Sequence, residues 1–96
     1  MNAYRLRPTA EADLAEIWRF TADRWDSVQA DRYVVAIMCV LGAIGASPGL
    51  GQACEDVREG YRRHPAGSHV VFYRIEPDHV DVVRILHGRM DIRRHI

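Results

Sequence analysis

Three arginines and one histidine are the residues of this chain best suited to chemistry. Arg62, Arg74, Arg84 and His87 fall on neighbouring predicted strands near the end of the 96-residue sequence. Guanidinium groups beside an imidazole can bind a phosphodiester and supply a general acid or base, as RNA cleavage requires. The same arginines can instead pair with carboxylates of the chain itself or with an acidic partner protein. The residues alone leave both interpretations open.

The other residue types that often carry chemistry are scattered along the sequence. The five histidines lie in predicted turns and at strand ends, without the close spacing that metal ligands on one element show. They are His64, His69, His79, His87 and His95. Two cysteines are too few for a disulfide framework. The sequence therefore predicts neither a metal site nor a cofactor.

Two apolar runs, at 69–76 and 80–87, must position the candidate residues. Both are rich in β-branched and aromatic residues, and Pro77 and Asp78 between them predict a strand–turn–strand hairpin. Strict alternation places Phe72 and Arg74 on one side of the first strand. In the second strand it puts Val80, Val82, Arg84 and Leu86 together on one side. Both sides carry large apolar groups, so one side is expected to meet helices and the other suits a binding surface or a core.

The first half of the chain predicts a strand and two helices. The alternating residues 4–7 end at Pro8, and Thr9 is a plausible N-cap for a helix from Ala10 to about Asp23. A second helix runs from Asp26 or Ser27 to about residue 46, before Pro48 and Gly49. The short linker makes the pair an antiparallel hairpin.

Trp18 and Trp25 belong to the helical stripe of the first half. We interpret both as part of a helix face buried on the sheet rather than as a platform for a ligand. Residues 47–56 are expected to form a loop, 57–63 a strand weakened by Gly60, and 64–68 a turn.

The predicted element order is β-α-α-β-β-β. It places the chain in the α+β class, with the helical hairpin packed on one face of a mainly antiparallel sheet and the first strand at an edge. Ninety-six residues are enough for one domain, so residues 1–96 are expected to form a single domain. The tail from residue 88 is too short for an independent helix and is expected to dock as a turn or a helical fragment.

Charge and composition narrow the classes of function. The formal net charge is zero, which argues against broad nucleic-acid binding. Residues 1–56 carry a net charge of −3 and residues 57–96 carry +3, and every basic side chain apart from histidine is arginine. No apolar run approaches the roughly 20 residues that span a bilayer, and the N-terminus lacks a signal pattern. We therefore expect a cytoplasmic protein with no membrane contact.

Six motifs spread over nearly the whole chain resemble the ParE toxins of the RelE/ParE superfamily. They are ADLAEIW at 12–18, WDSVQA at 25–30, SPGLG at 47–51, VREGYR at 57–62, VFYR at 71–74 and VRILHGRMD at 83–91. The ending of the last motif, combined with Tyr-Arg in the preceding strand, is the most specific part of the resemblance.

The resemblance implies a toxin of a type II toxin–antitoxin system. Toxins similar to this one inhibit DNA gyrase by direct binding and form a hetero-oligomer with a ParD-like antitoxin. That antitoxin is expected to be a ribbon-helix-helix protein with an acidic C-terminal segment, and nucleic acid is expected only through it. The RelE branch of the superfamily offers the alternative, a ribosome-dependent mRNA endoribonuclease. The absence of lysine, and of tyrosine after Arg89, favours the ParE branch.

The resemblance also motivates a hypothesis for the antitoxin-binding site. A disordered acidic segment that folds along the exposed sheet face would bury the apolar residues and pair with the arginines. The predicted antitoxin-binding residues are Phe72, Arg74, Val82, Arg84 and Leu86.

A second hypothesis places the toxic determinant in the tail, 89–96. This segment is polar and rich in arginine, and the sequence gives no packing role for it. The predicted target-binding residues are Arg89, Met90, Asp91, Arg93 and Arg94.

Overall fold

Two helices lie against one face of a five-stranded sheet in the computed structural model, which describes residues 3–95. The strands are β1 (Tyr4–Leu6), β2 (Gln52–Ala53), β3 (Tyr61–Ala66), β4 (His69–Ile75) and β5 (Val80–His87). The helices are α1 (Pro8–Arg24) and α2 (Ser27–Ala46), and 3₁₀ turns form at Pro48–Leu50 and Ile92–Arg94. This architecture confirms the α+β class. Met1, Asn2 and Ile96, which the predicted 1–96 domain includes, lie outside the described residues.

The sheet has the strand order β1-β5-β4-β3-β2. Strand β1 lies parallel to β5 at one edge, and the other neighbouring strands are antiparallel, as predicted. Strand β2 at the opposite edge was not predicted, because its two residues lie within the expected loop 47–56. The docked 3₁₀ turn Ile92–Arg94 agrees with the expected helical fragment in the tail.

The helix starts differ in how well the sequence predicts them. Asp26 caps α2 as expected, since its Oδ1 accepts a hydrogen bond from the Gln29 amide at 2.7 Å. Helix α1 begins at Pro8, earlier than predicted, because proline suits the first helical position. Thr9 therefore does not cap α1. Its hydroxyl instead donates to the Val83 carbonyl of β5 at 3.1 Å.

The helices and the inner face of the sheet enclose what we term the helix-side core. Its buried members are Ala10, Ile17, Ile37, Leu41, Ile44, Ala66, Val71, Tyr73, Val80, Val82 and Ile85. The Tyr73 hydroxyl is satisfied here, because it donates to the Pro48 carbonyl at 2.7 Å and accepts from the Gly51 amide at 2.8 Å. A Cβ at Gly51 would collide with this ring and with the Arg63 carbonyl, so the close approach requires glycine.

Helix α2 is long and apolar enough, by length and composition alone, to cross a membrane. The expectation that no apolar stretch approaches this length is therefore wrong. Core helices of globular proteins have the same length and composition. Here one face of α2 packs on the sheet, since Ile37, Leu41 and Ile44 are buried in the helix-side core.

A second group of buried residues, the outer core, fills the opposite face of the sheet. It consists of Cys54, Tyr61, Phe72, Val83, Leu86 and Ile92, with Val57 and Val70 packed against it. The segment 54–60 and the 3₁₀ turn of the tail thus supply apolar groups where no helix lies. The chain itself covers the face that the sequence left open for a partner.

A β-bulge in the hairpin changes which residues share a face. Phe72 lies opposite Arg84 but Tyr73 lies opposite Val82, so Val83 is an extra residue in β5. Val82 consequently faces the helix-side core, and Val83 takes the outer position. The predicted common side for Val82 and Leu86 is therefore wrong, because strict alternation does not survive a bulge.

Strand β3 is shifted toward the C-terminus relative to its prediction at 57–63. It begins at Tyr61 and continues through His64 and Pro65 to Ala66, so only Gly67 and Ser68 form the turn to β4. Gly60 precedes the strand with φ +81, and Gly67 has φ +62, which explains glycine at both positions.

Candidate functional site

Arg62 and Arg74 are each engaged away from the other two predicted site residues. The Arg62 guanidinium donates to the Gly51 carbonyl at 2.6 Å and braces the loop before β2. Arg74 lies 3.7 Å from Glu76 and its guanidinium carbon is 5.8 Å from the centre of the Tyr61 ring. Neither residue lines the cleft that contains Arg84 and His87.

That cleft, which we term the α1–β5 cleft, lies between α1, the adjoining ends of β4 and β5, and the tail. Its volume is about 320 Å³. Its apolar lining consists of Ile17, Phe20, Ile85, Leu86 and Met90. Its polar lining consists of Asp13, Glu16, His69, Arg84, His87 and His95. Of the four residues proposed for phosphodiester chemistry, the structure brings only Arg84 and His87 together.

Arg84 is fixed in the wall of the cleft by a bidentate pair with Asp13. Its Nε and one terminal nitrogen donate to the two carboxylate oxygens, each at 2.8 Å, and its other terminal nitrogen donates to the His95 carbonyl at 2.7 Å. The Asp13 carboxylate also accepts from the Ile85 amide at 2.9 Å. The hydrogen bond from Asp13 raises the pKa of Arg84 above its usual value. Arg84 therefore joins α1, β5 and the tail, and its charge is neutralised inside the molecule.

Hydrogen bonds occupy Nδ1 of two cleft imidazoles, His69 and His87. The Tyr33 hydroxyl accepts a hydrogen bond from the Ser68 amide at 2.9 Å and is also hydrogen-bonded to Nδ1 of His69 at 2.7 Å. Nδ1 of His87 faces the Arg89 amide at 3.2 Å, and an amide can only donate. When neutral, His87 therefore carries its proton on Nε2, whereas the hydrogen bond to Tyr33 fits either tautomer of His69. The two ring centroids lie 5.4 Å apart in an edge-to-face arrangement.

Burial lowers the pKa of His69, and positive charge on the neighbouring His87 lowers it further. The carboxylate of Asp13 acts in the opposite direction with a smaller effect. His69 is consequently a neutral hydrogen-bonding group near pH 7 rather than a cation.

The tail is anchored by packing, contrary to the prediction that packing does not explain it. Ile92 is buried in the outer core, and Asp91 caps the 3₁₀ turn by accepting from the Arg93 amide at 3.1 Å. Arg89 and Met90 are exposed before this anchor, and Arg94 is exposed after it. A rigid attachment thus presents several of the predicted target-binding side chains to solvent.

The predicted antitoxin-binding face is mostly closed. Phe72, Val82 and Leu86 are 5, 0 and 3% exposed, because the outer core or the helix-side core already covers them. Arg74 remains partly exposed, whereas most of Arg84 is buried against Asp13.

The large exposed apolar side chains lie mainly on the helices. Trp25 is 67% exposed and Phe20 is 64% exposed, and Val28 and Val35 of α2 also face solvent. The prediction that Trp18 and Trp25 are buried on the sheet is wrong. Trp18 lies at the surface, where its indole N–H donates to Asp31 at 2.8 Å.

Comparison with known proteins assigns the chain to a family. A family model described as "ParE toxin of type II toxin-antitoxin system, parDE" matches residues 4–92. The chain belongs to the ParE toxin family. The resemblance seen in the sequence motifs is thereby confirmed.

Relatives at high coverage agree with this assignment. The chain is 45% identical to Toxin ParE1 of Mycobacterium tuberculosis, covering 99% of this chain and 98% of that one. It is 43% identical to Toxin ParE1 of Caulobacter vibrioides, covering 100% and 99%, and 32% identical to Toxin ParE of Escherichia coli, covering 96% and 90%. A chain from the solved "Chromosomal ParDE TA system from P. aeruginosa" has the same fold, with a TM-score of 0.79, 17% identity and coverage of 91% and 96%.

Sequence reasoning missed three residues that shape the site in this ParE-family toxin. Asp13 is separated from Arg84 by 71 residues, and nothing in its own helix distinguishes it from the exposed acids nearby. In the sequence, Tyr33 has the spacing of an ordinary apolar residue of α2, and His69 stands at the start of a predicted strand. Only the hairpin of helices folded onto β4 and β5 brings them together.

Within residues 3–95, no three metal-ligating side chains gather at one point. The α1–β5 cleft offers hydrogen bonding by imidazoles together with apolar contact. Both suit the binding of another molecule.

Proposed function

We propose that this ParE-family toxin acts by binding DNA gyrase through its tail, and that a ParD-like antitoxin neutralises it in a cytoplasmic hetero-oligomer. The main support for the proposal is that the tail is anchored to the domain and still exposes polar side chains. Ile92 fixes it to the outer core while Arg89, Met90 and Arg94 stay exposed, which is the arrangement that a preorganised binding surface needs. The family supports the role of toxin, and the tail geometry supports action by contact.

The dispersal of the arginines also supports binding over RNA cleavage. Arg62 holds backbone carbonyls, Arg74 lies beside Glu76, and Arg84 is neutralised by Asp13. A phosphodiester at the α1–β5 cleft would therefore meet no free guanidinium from this set. A nuclease needs preorganised positive charge where negative charge develops.

Induction of the toxin in a bacterial host tests the proposal. Incorporation of labelled thymidine is compared with incorporation of labelled methionine over the first minutes after induction. We expect thymidine incorporation to fall first while translation continues. An early loss of methionine incorporation would overturn the proposal in favour of ribosome-dependent mRNA cleavage.

Point variants should replace truncation as the test of the tail. Deleting 89–96 would remove Ile92 and open the outer core, so a loss of toxicity would follow from unfolding as readily as from a lost contact. Arg89→Glu with Arg94→Glu changes only exposed side chains. We expect this pair to abolish toxicity without lowering the melting temperature, and Arg58→Glu with Arg63→Glu, also exposed, serves as the charge-matched control.

The antitoxin surface is best tested on Arg74. Charge reversal at Arg84 would break its pair with Asp13 and disturb the fold, whereas the partly exposed Arg74 has looser contacts, 3.7 Å from Glu76 and 5.8 Å from the centre of the Tyr61 ring. If an acidic antitoxin segment lies along this face, Arg74→Glu should raise the dissociation constant about tenfold, an effect of about 1.4 kcal/mol. An unchanged dissociation constant would exclude Arg74 from the interface.

A further inference from the structure

The α1–β5 cleft contains two neighbouring imidazole rings, His69 and His87. Nδ1 is already hydrogen-bonded in both rings, to the Tyr33 hydroxyl in His69 and to the Arg89 amide in His87, so Nε2 is the nitrogen of each ring left for a ligand. Among residues 3–95, neither Nε2 makes a hydrogen bond. The ring centroids are 5.4 Å apart, so the two imidazoles lie side by side in the lining of the cleft.

The acids of the same cleft are already paired. Both oxygens of Asp13 are held by Arg84 at 2.8 Å, and Glu16 contacts Arg19 at the surface at 2.6 Å. The local charge that would repel an anion is thus neutralised, whereas the imidazole donors remain available. This balance favours a ligand with two acceptor oxygens.

The apolar lining of the cleft indicates that the ligand also carries an apolar group. Ile17, Ile85 and Leu86 form an apolar wall, and Phe20 and Met90, which are 64 and 45% exposed, stand beside it. A volume of about 320 Å³ is at the small end of ligand pockets and accommodates one or two side chains or a small aromatic acid. A purely polar anion would leave these surfaces in contact with water.

We propose that the α1–β5 cleft binds a carboxylate carried on an apolar body, with His69 and His87 as the donors. Its occupant is an acidic residue of the antitoxin together with an apolar neighbour, a step that rests on the proposed function. Met90 and His95 belong to the tail, so such an occupant touches the segment that we propose binds gyrase. Antitoxin and target then compete for one surface, which explains neutralisation without any change of fold.

The chemistry is tested with 3-phenylpropionate, and 3-phenylpropionamide is the matched probe without a charge. Imidazole resonances of the purified toxin are followed by ¹H–¹⁵N NMR as each probe is added. We expect the acid to shift His69 and His87 in the millimolar range, while His64 and His79, outside the cleft, stay fixed. Equal shifts with the amide, or none with the acid, would overturn carboxylate recognition.

A pair of histidine variants locates the site. His87 is exposed and His64 is half-buried on β3, so neither change removes a core residue. His87→Ala should weaken binding of 3-phenylpropionate at least tenfold, and His64→Ala should leave it within twofold. Similar effects of both variants would place the acid elsewhere and contradict the proposal.

The identity of the occupant is tested on the toxin–antitoxin complex, prepared with the ribbon-helix-helix protein encoded beside the toxin. Loss of the acid-induced shifts in the complex supports the antitoxin as the occupant, and persistence of the shifts overturns it. Failure to form any complex would refute both the antitoxin part of the proposed function and this occupant. A toxin that does not inhibit gyrase would refute only the target, since the cleft measurements do not depend on it.

Discussion

Helices α1 and α2 cover one face of the sheet, whereas the other face is covered by the segment 54–60 and the tail, which contain no α-helix. The helix-side core is built from long elements that hold one another over many residues. The outer core depends on short contributions, of which Ile92 is the last. We infer that the helix side maintains the fold and that the outer side positions the segment that acts.

The largest difference between the two cores should appear in the free energy of unfolding. Leu41 is fully buried on α2, and Leu41→Ala leaves a cavity that the surrounding helices and sheet cannot close. We expect a loss of about 3 kcal/mol, measured by urea denaturation. A loss below about 1 kcal/mol would show that the helix-side core is not the main source of stability.

Removing Asp13 tests the connection between the two regions. Asp13→Ala leaves the mostly buried Arg84 without its pair and frees the Ile85 amide, so we expect a loss of about 2 kcal/mol. Because Arg84 also donates to the His95 carbonyl, the tail should loosen as well. Hydrogen exchange of the Arg94 and His95 amides, both of which are bonded within the 3₁₀ turn, measures this directly. Glu11→Ala, an exposed acid of the same helix, is the control and should change neither quantity.

Ile92→Ala should lower the free energy of unfolding less than Leu41→Ala does, and it should reduce toxicity more. Ile92 is 9% exposed and lies near the chain end, where the surroundings can relax, so we expect a loss of about 1–2 kcal/mol. Toxicity on induction should fall more than this loss of stability explains. If Ile92→Ala destabilises the protein as much as Leu41→Ala, or leaves toxicity intact, the two cores do not have the different roles that we infer.

The smallest expected effect concerns pH. The pKa of His69 in the folded protein lies below its ordinary value of 6.5, so the unfolded chain takes up the proton first as the pH falls. The free energy of unfolding should therefore decline as the pH is lowered through 6.5. The decline should weaken in His69→Gln when both proteins are followed by urea denaturation between pH 7.5 and 5.5, and parallel curves would contradict the assignment.

The sequence predicts the helix-side core better than the outer core. Apolar residues recur with helical spacing over α1 and α2 and alternate along β4 and β5. These repeated patterns predict the two helices and the central strands. The bulge at Val83 leaves no local signal, and it reverses the face of Val82. The tail contributes a single isoleucine, Ile92, to the outer core, and no periodic pattern marks it.

The candidate site was predictable only in part, for a related reason. The prediction brought Arg62, Arg74, Arg84 and His87 to one place, and only Arg84 and His87, which lie on one strand, share the cleft. Asp13, Tyr33 and His69 join them across three other elements, at separations that a pattern in the sequence cannot encode. Ion pairing of Arg84 with Asp13 then removes the free charge on which the nuclease hypothesis depended.

A gyrase supercoiling assay with purified components tests the central claim most directly. Wild-type toxin should inhibit supercoiling, and Arg89→Glu with Arg94→Glu should require at least tenfold more protein for the same inhibition while its thermal unfolding is unchanged. Equal inhibition by the two proteins, or none by the wild type, would contradict the account that the anchored tail binds gyrase.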